Sequence, residues 1–423
     1  MKGKVVGHSI PKVDAREKVT GQAKYATDLY MENMVHMKVL RAPYPHAIIR
    51  KIDISKALKV PGIIRIITKA DLPELKNFGL IIKDQPALVG IGEKTRYLGD
   101  ALALVIGEKE SQVRKAIRLI DVEYDKLEVI TDPLRAMEED APKIHENGNI
   151  VCVHKLDKGD IVKGFMEADL IVYNEFKTQH LDHVPLQPDA GMAVMDEDGT
   201  IRIWAATQWL HDTRVDVAQA LGMPVEKIRI IQPTIGGAFG KREDVIAQLH
   251  LAIAAKMVKR PVKTIYSREE SIISTSKRHP IIFRFKTGVK KDGTLTAWEA
   301  TIIGDTGAYA SSGPAVVHKG LYHCTGPYNV PNVRGVAYTV YTNNTYSGAM
   351  RGFGATQTAF AYESQMDIIA EKLGMNPIEL RLKNAYQVGS TTPNGQVLYA
   401  SVGVKETIIK AVEAFERQGG VIK

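Results

Sequence analysis

Gly236-Gly237-Ala238-Phe239-Gly240 and Arg351-Gly352-Phe353-Gly354 each set a phenylalanine among glycines. Glycine permits turns with positive φ and lets a backbone approach a ligand closely. Each segment follows a run that reads as a strand, Lys227-Ile228-Arg229-Ile230-Ile231-Gln232 in the first case and Val336-Ala337-Tyr338-Thr339-Val340-Tyr341 in the second. Two tight turns at strand ends, each presenting a ring and backbone N–H groups, predict two walls of one site. Taken singly, either is more readily an ordinary turn whose phenylalanine fills the core.

Outward from these turns the pattern is α+β. Val35-His36-Met37-Lys38-Val39-Leu40-Arg41 alternates with period two, as a half-buried strand does. Ile63-Ile64-Arg65-Ile66-Ile67 and Ala101-Leu102-Ala103-Leu104-Val105-Ile106 are continuous apolar runs of more buried strands. Ser111 is a candidate cap for a helix to about Ile120 with Val113, Ala116, Ile117 and Ile120 on one face, and Val122-Glu123-Tyr124 returns as a strand. Residues 1–130 are therefore expected to form a self-contained α+β unit. Residues 131–151, rich in proline, asparagine and charge, read as a connector. A larger domain is expected over 152–385, with an extension over 386–423. Within it a helix should follow each glycine turn, over Asp244 to Lys256 and Ala359 to Leu373, and a third should start at Pro377 with Asn376 as cap.

Composition narrows the function. The 423 residues are 25% charged and 44% hydrophobic, the balance of a soluble globular chain. No run approaches the ~18 apolar residues of a membrane-crossing helix. Met1-Lys2-Gly3-Lys4-Val5-Val6-Gly7-His8 carries charge without an apolar signal core, so a cytoplasmic protein is expected. The net charge of +8 is spread along the chain without a basic block interleaved with aromatics, which argues against nucleic acid and for small anionic ligands. Cys152 and Cys324 are the two cysteines, too few for a four-cysteine zinc or iron–sulfur site on this chain.

Several motifs fail on spacing. Gly236 stands four positions before Gly240, and Lys241 is followed by Arg242, so a phosphate loop of the Gly-x-x-x-x-Gly-Lys-Ser/Thr type is absent, as is Gly-x-Gly-x-x-Gly. His180, Asp182 and His183 are too close along an extended segment to face one ion. Gln208, in Thr207-Gln208-Trp209 beyond a strand end, could donate an amide N–H to a bound oxygen, or simply start a helix. Glu243 is placed at a helix N-terminus, which suits a carboxylate, and capping is its alternative role. The dense charges of Arg268-Glu269-Glu270 and Lys277-Arg278-His279-Pro280 are expected to form structural ion pairs.

The motifs, in order, resemble the molybdenum-binding subunits of the xanthine dehydrogenase/aldehyde oxidase family of molybdenum hydroxylases. Lys12-Val13-Asp14, Gly21-Gln22-Ala23-Lys24-Tyr25, Arg41-Ala42-Pro43-Tyr44-Pro45-His46-Ala47, Tyr97-Leu98-Gly99-Asp100 and Val122-Glu123-Tyr124-Asp125 are similar to its α/β hammerhead domain. Thr207-Gln208, the first glycine turn, Lys277-Arg278-His279-Pro280, Gly304-Asp305-Thr306-Gly307-Ala308-Tyr309 and Arg351-Gly352-Phe353-Gly354-Ala355-Thr356-Gln357 resemble its first molybdopterin-binding domain. Single-chain members are much longer. The chain resembles the large molybdopterin subunit of a split enzyme of the nicotinate dehydrogenase type.

What the resemblance implies is specific. A molybdenum-bearing molybdopterin, as its cytosine dinucleotide, would be held with no side chain ligating the metal. Gln208 would hydrogen-bond an oxygen ligand of the metal, Gly237, Ala238, Phe239 and Gly240 would border metal and pterin, and Arg351 would edge the ligand sphere. Phe239 and Phe353 would line a flat substrate, with Glu243 where purine-oxidising members bond the heterocycle. Lys319 stands where those members carry arginine and cannot offer the same planar fork. Gly348-Ala349-Met350-Arg351 replaces the serine-cysteine-arginine loop of carbon monoxide dehydrogenases. The family's general-base glutamate is expected on a second molybdopterin-binding subunit, with 2Fe–2S clusters and FAD on further subunits. The implied activity is hydroxylation of an electron-poor carbon of a nicotinate-like N-heteroaromatic with water-derived oxygen. A purine/xanthine dehydrogenase subunit, an aldehyde oxidoreductase subunit and a non-catalytic scaffold for cofactor assembly are the alternatives.

Overall fold

The computed structural model describes residues 5–420. Its largest sheet has seven strands, in the order Ile228–Ile231, Ile201–Ala205, Ala190–Met195, Val262–Ile265, Val35–Arg41, Ala101–Gly107 and Ile63–Thr68. The strand Ala101–Gly107 is buried at every position, as a central strand covered on both faces must be. Helix Gln248–Val258 lays Leu249, Leu251, Ala252 and Ala255 on this sheet, in one core with Met37, Leu104, Ile106, Ile203 and Val217.

That sheet overturns the expectation of a self-contained first unit. Strand Val35–Arg41 pairs in parallel with Val262–Ile265, so three strands of the first region continue four of the later one. What remains local is a three-stranded sheet of Lys94–Thr95, Ala47–Asp53 and Asp121–Lys126. Helix Glu110–Ile117 packs Val113 and Ala116 on Ala103 and Val105. Ser111 lies inside that helix rather than capping it, and the Lys109 N–H bonds Gln112 Oε1 at 3.0 Å instead. Residues 131–149 carry a short helix, Pro133–Ala136, started by Asp132.

A five-stranded sheet forms the rest of the larger region, in the order Ile150–Lys158, Asn332–Tyr341, Leu295–Gly307, Ile281–Val289 and Leu170–Lys177. Phe283, Phe285 and Trp298 face Ala361, Met366 and Ile369 of helix Ala355–Leu373 across its core. Asn376 caps helix Pro377–Asn384 as expected, accepting from the Ile378 N–H at 2.8 Å. Among the described residues no helix is long and apolar enough to cross a membrane. Each sheet delivers one glycine turn: the first follows strand Ile228–Ile231 and the second follows Asn332–Tyr341.

Candidate cofactor and substrate site

The two turns touch. The Arg351 N–H donates to the Phe239 carbonyl at 2.9 Å. Gly240, at φ 106°, leaves no room for a side chain, because a Cβ there would lie 2.4 Å from the Ala349 carbonyl oxygen. Both phenylalanines adopt left-handed backbone, Phe239 at φ 59° and Phe353 at φ 51°. Bulky residues rarely tolerate that region, and such strain concentrates where a site requires it. The Phe239 ring is 49% exposed, so it lies on the surface of this chain rather than filling a core.

Gln208 ties the strand end to the first turn. Its backbone N–H donates to the Arg242 carbonyl at 2.7 Å, and its side-chain oxygen accepts from the Gly240 N–H at 2.9 Å. Its amide nitrogen lies 3.5 Å from Glu243 Oε1. Glu243 is not at a helix N-terminus. Lys241–Glu243 form a single 3-10 turn, Asp244 is extended, and the helix begins four residues later at Gln248. Burial pushes the Glu243 carboxyl up to about 7, and the charge of Asp244 adds to the shift. Its Oε2 is buried without a hydrogen-bond partner among the described residues. Asp244 is buried behind it and raised to about 6, with Ser311 Oγ donating to Oδ1 at 2.5 Å.

Behind the first turn lies a buried ion cluster. Lys241 Nζ is 3.3 Å from Asp189 and 3.5 Å from Asp182, and it donates to Ser271 Oγ at 2.9 Å. Arg242 donates to Gln187 Oε1 at 2.8 Å and to the Gln187 carbonyl at 2.9 Å, and Lys277 meets Asp182 at 2.8 Å. Gln187 Oε1 also accepts from the Gly236 N–H at 2.7 Å, so the cluster holds both ends of the turn. The expectation of ion pairs holds for Lys277 but not for Arg278. Arg278 clamps the second turn through neutral acceptors: the Arg351 carbonyl at 2.9 Å, Thr356 Oγ1 at 2.6 Å and Gln357 Oε1 at 3.1 Å. His183 and His180 brace the approach to that turn, through the Ala349 carbonyl at 2.7 Å and Ser347 Oγ at 3.4 Å. Burial lowers both imidazoles to about 4, so they act as neutral rings.

Arg351 and Lys319 are exposed. Lys319, on helix Gly313–Tyr322, places Nζ 5.9 Å from the centre of the Phe353 ring. Gln208, Gly240, Glu243, Phe239 and Arg351 are thus joined by direct contacts, with Phe353 and Lys319 adjoining. Gln187, Arg278, Asp244 and Ser311 escaped the sequence-based selection. The run Lys241-Arg242-Glu243-Asp244, in which charge changes sign once, was the signal available for Asp244.

Among the described residues the N–H groups of Gly237, Ala238 and Phe239 donate to no protein acceptor. Beside two glycine-thinned turns these unpaired N–H groups make a polar edge, which fits a flat, acceptor-rich cofactor such as a molybdopterin.

Comparison with known proteins agrees. Residues 144–385 match the molybdopterin cofactor-binding domain family, and residues 20–128 match the aldehyde oxidase and xanthine dehydrogenase a/b hammerhead domain. The chain is 45% identical over 409 residues to the nicotinate dehydrogenase large molybdopterin subunit of Eubacterium barkeri, covering 97% of this chain and 96% of that one. It is 34% identical over 422 residues to the xanthine dehydrogenase molybdenum-binding subunit of Escherichia coli O157:H7, covering 96% of this chain and 55% of the relative. The solved aldehyde oxidoreductase of Desulfovibrio gigas superposes with a TM-score of 0.92 at 33% identity, over 96% of this chain and 46% of that one. The chain therefore spans nearly all of the first relative and about half of the other two. It belongs to the aldehyde oxidase and xanthine dehydrogenase family of molybdenum oxidoreductases, as a molybdopterin-binding subunit.

Proposed function

We propose that this subunit serves a multi-subunit hydroxylase acting on an electron-poor carbon of a nicotinate-like N-heteroaromatic acid. The ring C–H and one water become a ring C–OH, releasing two protons and two electrons. The likeness to the Eubacterium barkeri subunit over nearly its whole length carries this reading. Molybdenum carried by molybdopterin, taken as its cytosine dinucleotide, would accept the two electrons when bound. This chain's residues bind and orient. The unpaired N–H groups of Gly237, Ala238 and Phe239 and the amide of Gln208 hold the cofactor's acceptors, and Arg351 borders them. Phe239 and Phe353 offer faces to a flat ring, Glu243 hydrogen-bonds a ring nitrogen, and Lys319 attracts a ring carboxylate.

The electrons leave through 2Fe–2S clusters and FAD on partner subunits, because Cys152 and the buried Cys324 cannot supply four thiolates. A second molybdopterin-binding subunit completes the site, in keeping with the roughly twofold length of the Escherichia and Desulfovibrio relatives. Co-purification with a tagged chain, metal and flavin analysis, and a screen of pyridine-3-carboxylate, xanthine and benzaldehyde test the proposal. Molybdenum in the complex with turnover of the pyridine acid is expected. Preference for xanthine or benzaldehyde would replace the substrate class, and a metal-free complex would favour a scaffold.

A further inference from the structure

The run Lys241-Arg242-Glu243-Asp244 sorts its charges between two sets of neighbours. Lys241 and Arg242 are fully buried against Asp182, Asp189 and Gln187. Glu243 meets Gln208, and Asp244 meets Ser311. Among the described residues neither carboxyl has a cation within ion-pair distance. The other ionisable groups bearing on Asp244 are Asp216 on helix Leu210–Leu221, Tyr97 and Tyr346, none of which carries positive charge. A half-buried carboxyl beside a buried one, without a cation, resists double ionisation, and the pair titrates as a unit.

Ser311 biases where the proton of the pair resides. It is buried, and its backbone lies at φ 42°, a left-handed conformation that persists only where surroundings impose it. The preceding Ala310 N–H is fixed by Asp84 Oδ2 at 2.7 Å, and helix Gly313–Tyr322 starts two residues after Ser311. The hydroxyl held in this way donates to Asp244, which favours the anion there. The proton is left to Glu243, whose Oε2 has no acceptor or donor of its own.

We propose that Asp244, locked by Ser311, is a positioning residue that adds to burial in holding a proton on Glu243 up to neutral pH, so that Glu243 donates a hydrogen bond and selects rings whose nitrogen is an unprotonated acceptor. This rests on Glu243 facing the substrate, as in the function proposed above. Pyridine-type rings are then favoured, and rings presenting a fixed positive charge at nitrogen are rejected.

The test uses the whole complex, reduced so that no turnover occurs, with pyridine-3-carboxylate and N-methylpyridinium-3-carboxylate as probes. Binding is followed by the fluorescence of Trp209, which adjoins Gln208 and is 40% exposed. In the natural protein, pyridine-3-carboxylate should bind more weakly as pH rises through about 7, where Glu243 loses its proton. Glu243→Gln keeps a donor at every pH and should abolish that dependence. Asp244→Asn removes the neighbouring negative charge, which lowers the Glu243 pKa. The midpoint should fall by at least about one pH unit, with about a tenfold relative gain for the N-methylpyridinium probe at neutral pH. Ser311→Ala should move the midpoint in the same direction and serves if Asp244→Asn does not fold. If Glu243→Gln leaves the pH dependence untouched, Glu243 does not face the ligand and the site reading fails. If Glu243→Gln abolishes it while Asp244→Asn and Ser311→Ala leave the midpoint in place, the role of Asp244 alone is overturned.

Discussion

The two glycine–phenylalanine turns share one backbone and are held by opposite means. Gly237, Phe239 and Gly240 have φ of 101°, 59° and 106°, and Gly352, Phe353 and Gly354 have 100°, 51° and 92°. The first turn runs into a 3-10 turn whose Lys241 and Arg242 are pulled into a buried ion cluster. The second runs directly into the 19-residue helix Ala355–Leu373 and is clamped by Arg278 through neutral acceptors. One local shape is therefore maintained by remote charge in one place and by an adjoining helix in the other. The lesson is that a conformation and its support are separate problems.

Asp189→Asn should break the comparison most severely. It leaves Lys241 and Lys277 sharing Asp182 and Arg242 without its carboxylate, and an uncompensated buried charge costs about 3–5 kcal/mol. Chemical denaturation of the isolated chain would measure it; a loss below about 1 kcal/mol would mean that the cluster is not what supports the first turn. Gly240→Ala attacks the union of the turns, since the added methyl meets the Ala349 carbonyl oxygen in a left-handed residue. A cost of about 3 kcal/mol is expected from strain and overpacking together, with loss of bound molybdenum in the complex. Arg278→Ala should cost about 1–2 kcal/mol, confined to the second turn, because neutral hydrogen bonds to arginine are lost but a helix remains. Hydrogen exchange at 351–357 would register it, while the bonded amides of Gly236 and Gly240 stay protected.

Acid and base should separate the turns further. Glu243 and Asp244, raised to about 7 and about 6, bind protons more readily folded than unfolded. Their contribution is greatest at low pH and declines as pH rises from about 4 to about 7. His180 and His183, lowered to about 4, have the opposite sign: their contribution is present above about 6.5 and is lost as pH falls toward 4. Replacing Glu243 and Asp244 by Gln and Asn should therefore raise the thermal midpoint at pH 8 relative to pH 5, and a change of opposite sign would contradict the assigned shifts. The smallest expected effect is that of Lys319→Gln. An exposed cation at 5.9 Å from a ring is worth about 0.5 kcal/mol, so folding should be unchanged and any effect confined to the KM for anionic rings.

Local order was legible in the sequence, and long-range support was not. Val35–Arg41 is a strand with the bounds expected from its alternation, because one face of it meets a core. The helix after the first turn starts at Gln248 rather than Asp244, because Lys241 and Arg242 answer to Asp182 and Asp189, which no periodicity connects to them. Both turns could be read from their glycines. Gln187 and Ser311 could not, since each acts through a partner dozens of residues away and neither has a distinctive neighbourhood in the chain; Arg278 stands in a legible motif, but its partner at Arg351 is not written there.

The pairing of Val35–Arg41 with Val262–Ile265 makes the seven-stranded sheet a suture rather than a boundary. A nick within 131–149 would not release two modules. It would leave fragments whose sheets end on unsatisfied edges, each a template for the other. Such fragments should purify as a noncovalent pair that keeps the site intact, whereas either one made alone would expose that edge and self-associate.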